Sequence, residues 1–222
     1  GLYYLLKRRI VPRFEIRKPL RTISDQKKLE GVLRFKVSYT DNEDQGADTQ
    51  FVQSPPTGAS GGWVNTIGAG LIYDIRNSEF DPRSGIRAEA GADFSPVFAG
   101  NDFGFSYYFA EFTTYAPILK NTVFAQRFAA EHTIGSVPFF ELPTLGNEEG
   151  LRGYALNRFL GNSSVIYMAE MRTWVFSFLD DQIKLGGHLF FDTGRVFSDS
   201  DSSEFLKNWK QILFLIDHYY KI

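Results

Sequence analysis

Four segments of the chain alternate between apolar and polar residues. Leu33, Phe35, Val37 and Tyr39 alternate with Arg34, Lys36, Ser38 and Thr40. Ile67, Ala69, Leu71, Tyr73 and Ile75 alternate with Thr66, Gly68, Gly70, Asp74 and Arg76, with Ile72 as the exception. Ile86, Ala88, Ala90, Ala92 and Phe94 alternate with Arg87, Glu89, Gly91 and Asp93, and Ile183, Leu185, Leu189 and Phe191 with Lys184, Gly186, His188 and Asp192. Successive side chains of a strand point to opposite faces, so each run has one apolar face and one face that carries its charges. Such runs of about ten residues are the signature of strands that cross a membrane, apolar face to lipid and polar face to a lumen. Three further strands are expected at 103–116, 122–133 and 164–176. The first is aromatic on both faces around Tyr107 and Tyr108, which predicts a bulge there. The second places Arg127 and Glu131 on one face, and the third places Glu170 and Arg172 together. Arg13, Glu15 and Arg17 alternate with Phe14 and Ile16 and predict one more strand near the start.

The connections alternate in length. Residues 43–62 form a long Gly/Pro/Ser/Gln-rich loop, 77–85 a short turn, 97–101 a modest loop, 117–121 a tight turn, 134–162 a very long loop and 178–182 a tight turn. Outer-membrane barrels have short periplasmic turns and longer outer loops. The loops at 43–62 and 134–162 are therefore expected on the outer side, and the turns at 77–85, 117–121 and 178–182 on the periplasmic side.

Composition narrows the choice. The 222 residues are 43% hydrophobic, 23% charged and 16% aromatic, with 22 Phe and 11 Tyr. That rules against disorder and favours β-structure, in which aromatics pack well on pleated surfaces. A net charge of −2 gives no electrostatic footprint for nucleic acid. With no Cys, disulfides and thiolate metal sites are impossible. No apolar run approaches the roughly 18 residues of a membrane helix, so a membrane-spanning reading requires strands in a closed barrel. A soluble β-sandwich also alternates, but it has little use for arginines opposite Phe and Ile or for so long a loop as 134–162. His132 and His188 lie on different strands, and His218 near the end; no His–carboxylate spacing on one element points to a metal. Ser136, Ser163 and Ser164 lack the Gly-x-Ser-x-Gly context of a serine hydrolase. Neither an enzymatic activity nor a cofactor is expected. Trp63, Trp174, Tyr73 and Tyr115 fall near strand ends, where aromatic girdles form. Gly1 is not an initiator Met and no signal peptide precedes it, which reads as an internal fragment.

Three segments carry a more specific signal. Gly70-Leu71-Ile72-Tyr73-Asp74-Ile75-Arg76-Asn77 is followed by Phe80-Asp81-Pro82-Arg83-Ser84-Gly85. Pro138-Phe139-Phe140-Glu141-Leu142-Pro143-Thr144-Leu145-Gly146 precedes Leu151-Arg152-Gly153-Tyr154. Phe190-Phe191-Asp192-Thr193-Gly194 comes last, with Glu170 and Arg172 in between. In this order and spacing they resemble the Omp85 superfamily, the BamA/TamA-type surface antigens: its Tyr-Asp-x-Arg strand and Pro-x-x-Gly turn, its sixth outer loop with an Arg-Gly-Tyr tip, its Glu-x-Arg position and its Phe-x-Asp-x-Gly strand. The resemblance covers roughly residues 30–198.

It implies an all-β fold, a transmembrane antiparallel β-barrel of 16 strands, of which this chain supplies about eight. Residues 1–30 would be a partial strand and turn, 31–198 the barrel segment from about strand seven to strand thirteen, and 199–222 an aberrant tail, truncated or frameshifted. The tail lacks alternation and a terminal aromatic β-signal, although Asn208-Trp209-Lys210-Gln211 could begin a further strand. Periplasmic POTRA domains would lie upstream. The implied function is insertion or translocation of client proteins at the outer membrane of a Gram-negative bacterium, a client strand adding at a weakly paired seam. Outer-membrane lipid, unfolded outer-membrane or secreted clients and periplasmic accessory lipoproteins are the implied partners. A two-partner secretion pore and the barrel anchor of a patatin-like or phosphoesterase fusion are the alternatives.

The resemblance also assigns a site. Arginine offers a planar fork of donors that matches carboxylates. Gly153 permits a tight turn, and Tyr154 supplies a flat, half-polar anchor. By resemblance, Arg152 enters the lumen and pairs with Glu170 and Asp192, while Phe190 and Gly194 give the loop a packing surface and clearance. The tripeptide's chemistry alone leaves open a solvated arginine on an ordinary outer loop; the flanking motifs weigh against that. Asp74, Arg76 and Glu89 are expected to line the lumen as a solvated charge ladder.

Overall fold

A computed structural model describes residues 7–24, 27–42, 53–146, 150–178 and 183–198. Part of the 43–62 loop, most of the 178–182 turn and the 199–222 tail, with Asn208 to Gln211 and His218, lie outside the described residues.

The alternating segments form strands, and the strands form one antiparallel sheet. Its members are β1 (Lys7–Ile10), β2 (Arg13–Ser24), β3 (Lys27–Asn42), β4 (Gly62–Asp74), β5 (Gly85–Ser95), β6 (Phe105–Leu119), β7 (Thr122–Gly135), β10 (Ser163–Phe178) and β11 (Ile183–Phe197). A separate two-residue pair, β8 (Thr144–Leu145) with β9 (Phe159–Leu160), lies inside the long loop. Both β1 and β2 pair with β3, β1 along Tyr39 to Asn42 and β2 along Lys27 to Lys36, so nine strands fill eight positions. The break between them falls at Pro12, which has no N–H to give to the ladder. Its carbonyl still accepts from Val37 N at 3.1 Å.

From β2 onward every neighbour in the sheet is a neighbour in sequence apart from the β8/β9 insertion, the meander of an up-and-down barrel. Strands of 11 to 16 residues from β3 onward are long enough to cross a bilayer at a barrel's tilt. The two faces differ as the alternation requires. Leu71 is 52% exposed and its neighbour Ile72 is 2% exposed. Leu33, Phe35, Ile67, Phe112 and Leu189 also lie exposed on the outer face, while Arg34, Glu89, Glu111, Arg127, Glu170 and Asp192 share the inner one. Among the described residues no helix is long and apolar enough to cross a membrane, which has no bearing on crossing by strands.

Three local expectations change. No bulge occurs at Tyr107 and Tyr108, whose pairing with Asp93, Ala92, Thr133 and His132 is continuous. Both faces accept an aromatic there. Tyr107 turns inward and donates to Glu131 Oε1 at 2.7 Å, whereas Tyr108 turns outward and meets the Phe94 ring edge-on. The irregularity lies instead between Pro117 and Leu119, where proline cannot donate. β6 therefore runs to Leu119, and the turn shortens to Lys120 and Asn121. Tyr115 is also misplaced in an outer girdle, because it sits on the inner face in step with Glu111 and Thr113. Trp63, Tyr73 and Trp174 are exposed on their strands, and Trp63 packs on Tyr39 at 4.9 Å between ring centroids.

The turn at 77–85 is held by Asn77, whose Oδ1 accepts from the backbone N–H groups of Arg83 and Ser84, both at 2.9 Å. Gly85 closes it at φ 111°, where a Cβ would lie 2.4 Å from the Ile75 carbonyl oxygen.

Candidate functional site

The long loop after β7 returns through the concave face of the sheet. Its two limbs join at β8 and β9, where Thr144 pairs with Leu160 and Leu145 with Phe159. Leu145 and Leu151 then pack on Ile166 of β10 as a small buried cluster, bordered by Ala129, Met168 and Val196 of the wall. Gly194 provides the clearance: a Cβ there would stand 3.0 Å from Leu145 Cδ1.

At the loop tip, Tyr154 N donates to Leu151 O at 3.2 Å and Gly153 adopts φ 92°. Glycine at the third position of a hydrogen-bonded four-residue turn is the signature of type II geometry. That turn aims Arg152 at the wall. Arg152 Nε and Nη2 donate to the two oxygens of Asp192 at 2.8 and 2.6 Å, and Nη1 donates to Glu170 Oε2 at 3.0 Å. Its backbone N–H adds a fourth bond, to Asp192 Oδ2 at 3.2 Å. The guanidinium carbon lies 3.9 Å from the centroid of the Phe190 ring, which the fork covers as a cation–π partner. Hydrogen bonding to Asp192 holds the guanidinium above its usual pKa, so it stays charged at any physiological pH. Glu170 also accepts from Arg172 Nε at 2.6 Å.

Thus Arg152, Glu170, Asp192, Phe190 and Gly194 meet at one place. Tyr154 does not join them. It is 53% exposed and packs edge-on against Phe159 of its own loop, with centroids 5.3 Å apart. Its partner is the loop, not the wall.

A second contact was not anticipated. Residues 137–142 lie across the opposite part of the sheet. Phe140 and Val137 bury themselves against Val64 and Phe105. Phe139 N donates to Thr57 O at 2.9 Å, which ties this limb to the loop between β3 and β4. Glu141 receives Lys36 Nζ at 2.6 Å and also pairs with Arg9. The reason appears in the strand register, which the sequence alone does not display. Lys36 faces Thr66 on β4 and Arg13 on β2, so the wall itself gives it no opposite charge across the strands.

Between the two contacts the inner face carries a chain of ion pairs. Arg34 reaches Glu89 at 2.7 Å, Arg87 bridges Glu89 and Glu111, and Arg127 meets Glu111 at 2.7 Å. Gly70 and Gly91 leave room for this, since a Cβ on either would come within 2.9 Å of the Arg34 guanidinium. Glu89 is thus a member of an extended ladder, whereas Asp74 and Arg76 pair mainly with each other, at 2.6 Å. A cavity of about 1370 Å³ remains between loop and wall, with Arg13, Asp93, Tyr107, Glu131, Leu156 and Leu160 among its lining.

Comparison with known proteins agrees with this architecture. The Omp85 superfamily domain model matches residues 14–212. Among solved structures, BamA from Haemophilus ducreyi lacking POTRA domains 1–3 superimposes with a TM-score of 0.65 at 16% identity, over 92% of this chain and 44% of that one. The chain therefore spans less than half the length of that structure, and at this identity the likeness speaks to fold. No curated protein sequence matches. A family match over most of the chain, on an antiparallel sheet with a lipid-type outer face and an inward-folded loop, establishes that this chain belongs to the Omp85 superfamily and is a segment of its outer-membrane β-barrel.

Proposed function

We propose that the protein inserts or translocates client proteins at the outer membrane of a Gram-negative bacterium, as a non-enzymatic device whose long loop is clamped in the lumen by Arg152. The observation that carries this is the chelation of Arg152 by Asp192 and Glu170 over Phe190. A loop held by four hydrogen bonds and a ring stack has one conformation rather than many, and it fills space that a passive porin would leave open. A clamped interior leaves the sheet edge as the place where an unfolded strand could be received by backbone pairing. Outer-membrane lipid surrounds the apolar face, and periplasmic lipoproteins would act as accessories.

The test is reconstitution of the intact protein in phosphatidylcholine vesicles with a urea-unfolded outer-membrane protein as client. The client's folded, heat-modifiable band is followed over time. The proposal expects folding several-fold faster than in empty vesicles, and a fall towards the empty-vesicle rate for Arg152→Ala. Equal rates with and without the protein would refute it.

A further inference from the structure

The loop leaves β7 and returns to β10, and these two strands are paired neighbours. Nothing in that connectivity requires it to reach β3, yet it does. Between β7 and β3 lie β6, β5 and β4. Four steps of about 4.8 Å make a path of roughly 19 Å along the wall. The loop takes the chord beneath that arc.

We propose that the loop is a two-ended cross-tie and that Glu141 is the positioning residue of its second end. This deepens, and rests on, the reading of a lumen-docked loop. At one end Arg152 grips β10 and β11. At the other, Glu141 grips Arg9 of β1 and Lys36 of β3, and Phe140 O accepts from Arg9 Nη1 at 3.2 Å. The two grips sit on opposite ends of the eight-position sheet. Together they fix the separation of those walls and so the width of the lumen. The charge pattern argues that Glu141 is needed there. Without it Arg9, Arg13 and Lys36 would share one inner surface on adjacent strands, where the other nearby carboxylate, Asp93, forms its ion pair with Arg34. Both partners of the 2.6 Å contact are largely shielded, Lys36 at 15% and Glu141 at 10% side-chain exposure, so water cannot easily replace the carboxylate. The apolar collar of Phe140, Val137, Val64 and Phe105 lies beside the ion pair and holds the limb in the same place.

These 222 residues contain no cysteine, so each reporter is the single thiol of this segment, and any cysteine elsewhere in the intact protein is first replaced by serine. Val137→Cys places a thiol in the collar and Leu151→Cys places one under the tip. The intact protein is folded in phosphatidylcholine vesicles, its compact band on unheated gels serving as the fold check. A membrane-impermeant maleimide then reports access. Glu141→Ala is expected to speed labelling of the Val137→Cys reporter at least tenfold and of the Leu151→Cys reporter less than threefold. Arg152→Ala is expected to do the reverse. Glu141→Gln, which keeps shape and loses charge, should act in the same direction as Glu141→Ala if the latter does not fold. Unchanged labelling of the collar reporter in Glu141→Ala would overturn the second grip. Unchanged labelling of the tip reporter in Arg152→Ala would instead sink the tip clamp, and with it the two-ended tie, while the Glu141 result stood apart.

Discussion

Arg152 works because three properties of one side chain are used together. Its fork spans both oxygens of Asp192, its remaining nitrogen reaches Glu170, and its flat face lies on Phe190. Lysine has the charge but neither the fork nor the plane. Arg152→Lys should therefore fail to hold the loop, with access to the Leu151→Cys reporter close to that of Arg152→Ala; wild-type slowness in Arg152→Lys would reduce the clamp to simple charge attraction. Gly153 is a separate case. Nothing lies within 4 Å of the position its Cβ would take, so only its φ of 92° opposes a side chain. Gly153→Ala should cost about 1 kcal/mol, the penalty for a left-handed backbone without a clash, read as a modest shift in the denaturation midpoint. The tip was legible in the sequence because arginine, glycine and carboxylates carry distinctive chemistry and sat in recognisable motifs. Glu141 lies within such a motif, but its role is not legible there. Its partners lie 105 and 132 residues away, and no local pattern links them.

At the scale of the strand, alternation read well and exceptions read poorly. β11 spans Ile183–Phe197 and keeps the alternation read over 183–192, with Leu185, Leu189 and Phe191 exposed on its outer face. In β6, aromatics on both faces predict a bulge that does not form. The inner face of this barrel tolerates Tyr107 because Glu131 satisfies its hydroxyl. Pro117 likewise looked like part of a turn and is instead an irregularity in a strand that continues beyond it. Gly70 and Gly91 of β4 and β5 leave the space that the Arg34 guanidinium occupies. The facing of the strands yields a sharp expectation. Leu71→Arg puts a charge on the lipid side and should destabilise the barrel by about 2–4 kcal/mol near the bilayer centre, measured by urea titration in vesicles. A change under 0.5 kcal/mol would mean that this face does not contact lipid.

At the scale of the molecule, the sheet and the loop depend on one another. A flat sheet could not present β3 and β11 to the same loop; a curled one can. The ion pairs from Arg34 to Arg127 run along the concave side, and the loop crosses above them. No sequence pattern displays curvature, because it is the sum of many small twists between neighbouring strands. The central claim is that Arg152 and the wall are energetically joined, and a double-mutant cycle measures this directly. Unfolding free energies of wild type, Arg152→Ala, Asp192→Ala and the double variant are compared in the intact protein. We expect a favourable coupling of about 2 kcal/mol, within the range for contacting residues of one network. Additivity within about 0.5 kcal/mol would show that the two residues do not act as one unit, and would contradict the clamp.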